Sequence, residues 1–363
     1  MIGTNDLDNF EPVARIVVIG VGGAGNNAVN RMIDDQIDSV SFWVANTDKQ
    51  ALATSKAKNR LVLGEEFTHG LGAGGEPSVG RKAAEASRPE IEKIVEGADL
   101  VFIAAGMGGG TGTGASPIIA EIAKAAGALT IAIVTRPFTF EGKKRIANSV
   151  EGLNALKEIV DSIIVVSNDK LLITGGNLPI AQAFGESDKV LAQSVKTVVD
   201  LILVPAVINL DFADVRNTLL NSGIALIGFG MGKGKNKARD AAQTAINSPL
   251  LEASLQGARK AIIAVTCGTN VSLFEAQETV NEIVETSGSN LDVKFGVALN
   301  ELLEDSIIVS VIASDFEEQY DFTSVHTPII KPVTKDSRPY REEEEDDDNF
   351  LPNILKELES EEN

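Results

Sequence analysis

The chain is poor in the residues that build metal and redox centres. Across 363 residues it has one cysteine, Cys267, and two histidines, His69 and His326. A single cysteine excludes an intrachain disulfide and fits a reducing compartment. So few soft ligands do not make a Cys/His zinc site, and two histidines leave little material for a Ser-His-Asp triad. Cys267, in "KAIIAVTCG", reads as a buried strand residue. Long apolar runs are also missing: none approaches the roughly 18 residues that span a bilayer. The opening "MIGTNDLDNFEP" is acidic and polar, unlike a signal peptide. A cytoplasmic protein with no direct membrane insertion is the expectation.

Positive charge is scarce too. Lysine and arginine number 32 against 52 aspartates and glutamates, a net charge of −20. That balance argues against a nucleic-acid partner. The excess is uneven, with 15 acidic and 5 basic residues from Glu317 to Asn363. A nucleotide site in the remainder must therefore rely on backbone N–H groups and a metal. What is present in quantity is apolar: 44% hydrophobic against 23% charged residues, an ordinary soluble composition with length enough for two domains.

From Ala14 to about Val166, apolar runs alternate with helical patterns. The strand candidates are "RIVVIG", "VSFWVAN", "RLVLG", "DLVFIAAG", "LTIAIVTRPF" and "SIIVVSN". Most are continuous rather than alternating, as expected of a parallel sheet covered on both faces. The pattern predicts βαβ units and a doubly wound, mostly parallel α/β domain, with ligands at the carboxyl ends of its strands. Residues 178–204 predict one long helix, with Ala181, Phe184, Val190, Leu191, Val195, Val198, Val199 and Ile202 at helical spacing. "VPAVINLDFADV" follows as a loop. Four further strands, "GIALIGFG", "ARKAIIAVTCG", "VKFGVAL" and "SIIVSVIAS", with helices in "NKARDAAQTAINSPLL" and "SLFEAQETVNEIVETSG", predict a smaller α+β domain. The expected divisions are an arm (1–12), a nucleotide-binding domain (13–177), the central helix (178–204), a connection (205–222), the α+β domain (223–316) and a disordered acidic tail (317–363).

Two glycine-rich turns carry the chemistry. Gly20, Gly22 and Gly25 satisfy G-x-G-x-x-G between a strand and a helix. That turn reads either as a phosphate loop, NAD or FAD included, or as tight packing. Asp48, ending the second strand, is where a dinucleotide fold would bind a ribose. The second turn, "AAGMGGGTGTGASPIIAEIA", is the stronger signal. Its glycines let successive N–H groups converge on anionic oxygens, and Thr111 and Thr113 add hydroxyls. A dehydrogenase needs one such loop, whereas two facing loops suit a nucleoside triphosphate. No Walker A spacing occurs, and "GFGMGKGKN" reads as a surface loop between strand and helix.

"GGGTGTG" resembles the signature loop of the tubulin superfamily in its FtsZ form. "VIGVGGAGNNAVNRMI", "NTDKQAL", "GLGAGGEPSVGRKAAEAS", "TRPFTFEGKKR" and "INLDFADV" are similar in matching order. The resemblance runs from about Arg15 to Phe316 and implies a GTP-binding and GTP-hydrolysing cytoskeletal protein of the division ring, sited at mid-cell. Gly22, Gly23, Ala24, Gly25 and Asn26 match its first phosphate loop. Gly108, Gly109, Gly110, Thr111, Gly112 and Thr113 match the signature loop. Glu141 and Arg145 match residues at the ribose and phosphates, and Asn168, Phe184 and Asp188 match the base pocket, with Asn27 and Asn46 as neighbours. Asn209, Asp211 and Asp214 match a catalytic loop that enters the next subunit's site, with Mg²⁺ on the phosphates. The implied partner is therefore a second copy of the chain, joined head to tail. The tail "EEEEDDDNFLPNILKELESEEN" departs from the family's terminal adaptor peptide: Pro352 follows Phe350-Leu351, and no arginine comes after. Membrane-tethering adaptors are implied only through that altered peptide.

Overall fold

The computed structural model describes residues 14–316 apart from 38, 176–178, 205, 249–254 and 288–290. The expected arm and acidic tail, with His326 and Phe350-Leu351, lie outside the described residues. So do Leu178 at the start of the long helix and the "PLL" of the segment after Ser248.

The strands are β1 (Ile16–Val21), β2 (Val40–Asn46), β3 (Asn59–Val62), β4 (Leu100–Gly106), β5 (Leu129–Arg136), β6 (Ser162–Ser167), β7 (Gly223–Lys233), β8 (Ala258–Cys267), β9 (Asp292–Leu299) and β10 (Ser306–Phe316). The helices are α1 (Gly22–Asp34), α2 (Lys49–Ala53), α3 (Glu65–Thr68), α4 (Pro77–Ala86), α5 (Arg88–Val95), α6 (Thr111–Ala125), α7 (Lys143–Lys157), α8 (Asn168–Gly175), α9 (Ile180–Leu203), α10 (Phe212–Leu219), α11 (Lys237–Ile246) and α12 (Leu273–Ser287). All the strands join one sheet in the order β3-β2-β1-β4-β5-β6-β7-β10-β8-β9. Pairing is parallel from β3 to β7. It is antiparallel from β7 to β10 and from β10 to β8, and parallel again from β8 to β9.

The continuous apolar runs are explained by two-sided burial. On β1, Ile16 and Val18 enter a core beneath α1 and α9, while Val17, Ile19 and Val21 enter one beneath α4, α5, α6 and α7. β4 divides in the same way, Phe102 to the first core and Ile103 to the second. Helix α9 is amphipathic at the spacing read from sequence, with Leu191, Val195, Val198 and Val199 fully buried. A third core lies where α11 and α12 cover β7, β8 and β10. It holds Cys267, whose thiol burial pushes to a higher pKa, with Glu275 adding to the shift.

Two expected loops are partly regular structure. "GFGMGKGKN" belongs mostly to β7, which pairs with β10 through Lys233. A Cβ on Gly230 would lie 2.0 Å from the Ala241 carbonyl oxygen, and one on Gly232 would lie 1.9 Å from that of Lys237. These glycines seat α11 against the strand rather than forming a flexible loop. Likewise "VPAVINLDFADV" ends in α10, whose N-cap is Asp211: its Oδ1 accepts from the Asp214 N–H at 2.8 Å.

Candidate functional site

The chain leaves β1 toward β2 and leaves β4 toward β5, although β1 and β4 are neighbours. The gap beyond their carboxyl ends is a topological switch point, where open α/β sheets bind ligands. Both glycine turns fall there. Gly22 has φ +71° and turns β1 directly into α1. Gly106 ends β4, Gly108 has φ +102°, and α6 begins at Thr111. Two helix N-termini thus open on one crevice, each offering unpaired N–H groups and the positive end of its dipole.

The crevice is a cleft of about 480 Å³. Gly22, Gly23, Ala24 and Asn27 line one wall, and Gly109, Gly110, Thr111 and Gly112 line the facing one. Such a wall is mostly backbone, which suits phosphate oxygens and needs no lysine cluster. Four matched residues sit behind the wall rather than on it. Gly25 packs against β4, where a Cβ would lie 2.2 Å from the Ala104 carbonyl oxygen. With its nitrogen toward the turn, the Asn26 amide donates to the carbonyls of Gly20 (3.1 Å) and Gly22 (2.9 Å), and its oxygen accepts from Asn46 Nδ2 at 3.2 Å. Gly108 donates its N–H to Thr113 Oγ1 at 2.8 Å, so this buried pair braces the second loop from within. Thr111 does reach the cleft, but its hydroxyl also meets that of Thr47 at 2.7 Å.

Glu141 and Arg145 form an ion pair on the rim. Glu141 Oε1 also accepts from the Phe138 N–H at 2.9 Å, leaving its carboxylate only 10% exposed. At the far end stand Asn168, Ser187, Phe184 and Asp188. Asn168 heads α8, and its Oδ1 accepts from the Ser187 hydroxyl at 2.8 Å, tying α8 to α9. Phe184 reads as helix core by periodicity but is 40% exposed, with its ring edge on Phe138 (5.0 Å, 86°). Phe138 is itself fully buried and stacks on Phe140. The Asp188 carboxyl is raised to about 7, chiefly because burial disfavours its charge, with Arg31 opposing.

Sequence reasoning assigned no role to Gly75, Met107, Thr135, Pro137 or Ser187, which also line the cleft. Gly75 and Pro137 lie inside the segments "GLGAGGEPSVG" and "TRPFTFEGKKR", so those segments were the available signal. Asp48 does not serve as a ribose ligand. Its Oδ1 accepts from the N–H groups of Gln50 (2.8 Å) and Ala51 (3.4 Å), capping α2, and it does not line the cleft. The dinucleotide alternative loses its acidic partner by that cap.

Asn209, Asp211 and Asp214 do not line the cleft either. Helix α9 carries the chain away from the base end, and the residues from Asp188 to Leu203 alone span about 22 Å. Asn209 Oδ1 accepts from the Ala206 N–H at 2.7 Å, and Asp214 lies 3.9 Å from Lys294 on β9.

The fold and cleft define a nucleotide-binding α/β protein that holds phosphates by paired backbone loops. Residues 15–174 match the GTPase domain of the Tubulin/FtsZ family, and residues 223–317 match the FtsZ family C-terminal domain. Among solved structures, the chain is similar to an empty FtsZ dimer of M. jannaschii at 41% identity, covering 83% of this chain and 88% of that one, with a TM-score of 0.78. A point mutant of FtsZ from the same organism is 40% identical over 85% and 94% of the two chains, with a TM-score of 0.80. A GTPγS-bound protofilament of CetZ2 from Haloferax volcanii shares the fold at 20% identity, with coverage of 85% and 96% and a TM-score of 0.73. The chain belongs to the FtsZ family of GTPases and binds and hydrolyses GTP.

Proposed function

We propose that the protein assembles head to tail into filaments of the division ring, and that each GTP is hydrolysed at the contact between two subunits. The observation that carries this reading is a separation. The phosphate loops line the cleft, while Asn209, Asp211 and Asp214 lie outside it at the other end of α9. A second copy placed on the open cleft supplies what the cleft lacks. Such a contact is heterologous, and repeating it gives an open filament. Self-association is in keeping with the dimer and protofilament forms of the similar structures.

In this reading the N–H groups of Gly22 to Ala24 and of Gly109 to Gly112 hold the phosphates. Glu141 and Arg145 take the ribose and phosphate edge, Phe184 stacks on guanine, and ionised Asp188 accepts from its N1–H and N2–H₂. Asn209 orients the γ-phosphate or water, while Asp211 and Asp214 polarise the attacking water. Among the described residues no cluster of three His, Cys, Asp or Glu side chains is placed to hold a metal. Mg²⁺ carried on the phosphates would withdraw negative charge there. We read 13–177 as the nucleotide-binding domain, 178–204 as the helix linking it to the connection at 205–222, and 223–316 as the second domain. Among the described residues no helix is long and apolar enough to cross a membrane. A cytoplasmic, mid-cell location and recruitment through adaptors on the tail complete the proposal. GTP turnover per subunit should rise steeply with protein concentration and vanish on dilution. Constant specific activity down to high dilution would refute catalysis at the contact.

A further inference from the structure

The segment carrying Asn209, Asp211 and Asp214 lies along β9 and is fixed there at more than one point. Ile208 forms an antiparallel bridge with Val297: the Val207 N–H donates to the Val297 carbonyl at 2.8 Å, and the Val297 N–H donates to the Ile208 carbonyl at 3.0 Å. One residue back, a Cβ on Gly296 would lie 3.3 Å from the Ile208 carbonyl oxygen and 3.7 Å from Leu210 Cγ. The segment therefore rests against the strand at a position without a side chain. Two residues further back, on the same face of β9, Lys294 Nζ lies 3.9 Å from Asp214 Oδ1. Asp211 in turn caps the first turn of α10, which contains Asp214. Backbone bridge, bare glycine and lysine follow one another along a single strand.

We propose that β9 is the mount of the catalytic segment and that Lys294 is a positioning residue, its ammonium holding the Asp214 carboxylate in the place from which it acts. This rests on the reading that Asp214 serves the neighbouring subunit's nucleotide. The pairing has an electrostatic reason. Asp211 and Asp214 must approach a polyphosphate of like charge, and a cation 3.9 Å from Asp214 lessens that repulsion and biases where its carboxylate sits. Both partners are more than a third or about a third exposed (40% and 33%), so water screens the pair and the effect is modest. An exposed pair of this kind corresponds to roughly a two- to fivefold change.

The test compares Lys294→Met, Lys294→Arg, Gly296→Ala and Asp214→Asn in the full chain. It measures GTP turnover per assembled subunit, GTP affinity of the unassembled protein and thermal melting. Lys294→Met should lower turnover two- to fivefold while leaving GTP affinity and melting unchanged. Lys294→Arg should restore most of the rate, because it returns the charge. Gly296→Ala, which must displace the segment by a few tenths of an ångström, should also lower turnover with GTP affinity intact. Wild-type turnover by Lys294→Met, or equal rates for the methionine and arginine variants, overturns the mount. Wild-type turnover by assembled Asp214→Asn overturns the underlying reading of Asp214 instead, so the two failures are told apart.

Discussion

The Asp188 carboxyl gives the site a pH dependence that can be worked out in advance. Its ordinary value is 3.8, and burial raises it to about 7. Guanine offers two donors at N1 and N2, which an ionised carboxylate accepts and a protonated one does not match. Nucleotide binding therefore selects the ionised form. At pH 6 about one molecule in eleven is ionised, and at pH 8 about ten in eleven, so the apparent affinity should rise roughly tenfold between them. Without nucleotide the sign reverses. Between the unfolded value and about 7 the folded state holds more protons, so this group's contribution to stability falls as pH rises through that window. The terminal phosphate titrates in the same range, so Asp188→Asn provides the baseline. Titrating GDP against both proteins by calorimetry from pH 6 to 8 isolates the carboxyl. A wild-type profile that parallels Asp188→Asn would refute the assignment of Asp188 to the base.

Asp211 both caps α10 and is proposed to act on water, and two variants separate those roles. Asp211→Asn keeps a competent cap and should melt like the wild type, whereas Asp211→Ala should lose about 0.5–2 kcal/mol. Both should bind GTP and fail to turn it over. Gly114→Ala would place a Cβ 1.9 Å from the Pro77 carbonyl oxygen, costing about 1–3 kcal/mol by overpacking and weakening GTP binding as α4 is pushed from α6. Phe138→Ala removes a fully buried ring that supports Phe184. It should cost about 3–5 kcal/mol in denaturant melts, and guanosine should bind more weakly.

Much of the fold can be read in the sequence because two-sided burial leaves a plain trace. The runs at Ile16–Val21 and Leu100–Gly106 are apolar on both strand faces because helices cover both faces. The glycine loops can be read for a similar reason, since at Gly25, Gly110 and Gly112 close packing tolerates no Cβ. What the residues do not disclose is which polar groups are already engaged. Asp48 looks like a ribose ligand until its side chain is seen capping α2. Asn26 and Thr113 stand in the right motifs but turn inward to brace them. Phe184 fits a helical apolar stripe, and only the shape of the cleft leaves its ring partly exposed. Lys294 has no motif, because its relation to Asp214 spans two elements far apart in sequence.

The seam between β6 and β7 bears on how the chain folds as it is made. Strands β1 to β6 are complete in sequence before β7 emerges, and β7 meets β6 through only three paired positions, Ser162 with Gly223, Ile163 with Ile224 and Ile164 with Ala225. During synthesis β6 is thus an open edge rich in isoleucine and valine, the kind of strand that recruits wrong partners. It stays open while 55 residues, from Asn168 to Ser222, leave the ribosome. The arrival of β7 closes that edge and at the same stroke gives β10 its template. Nascent chains halted before Gly223 should aggregate more readily than chains released after Phe316.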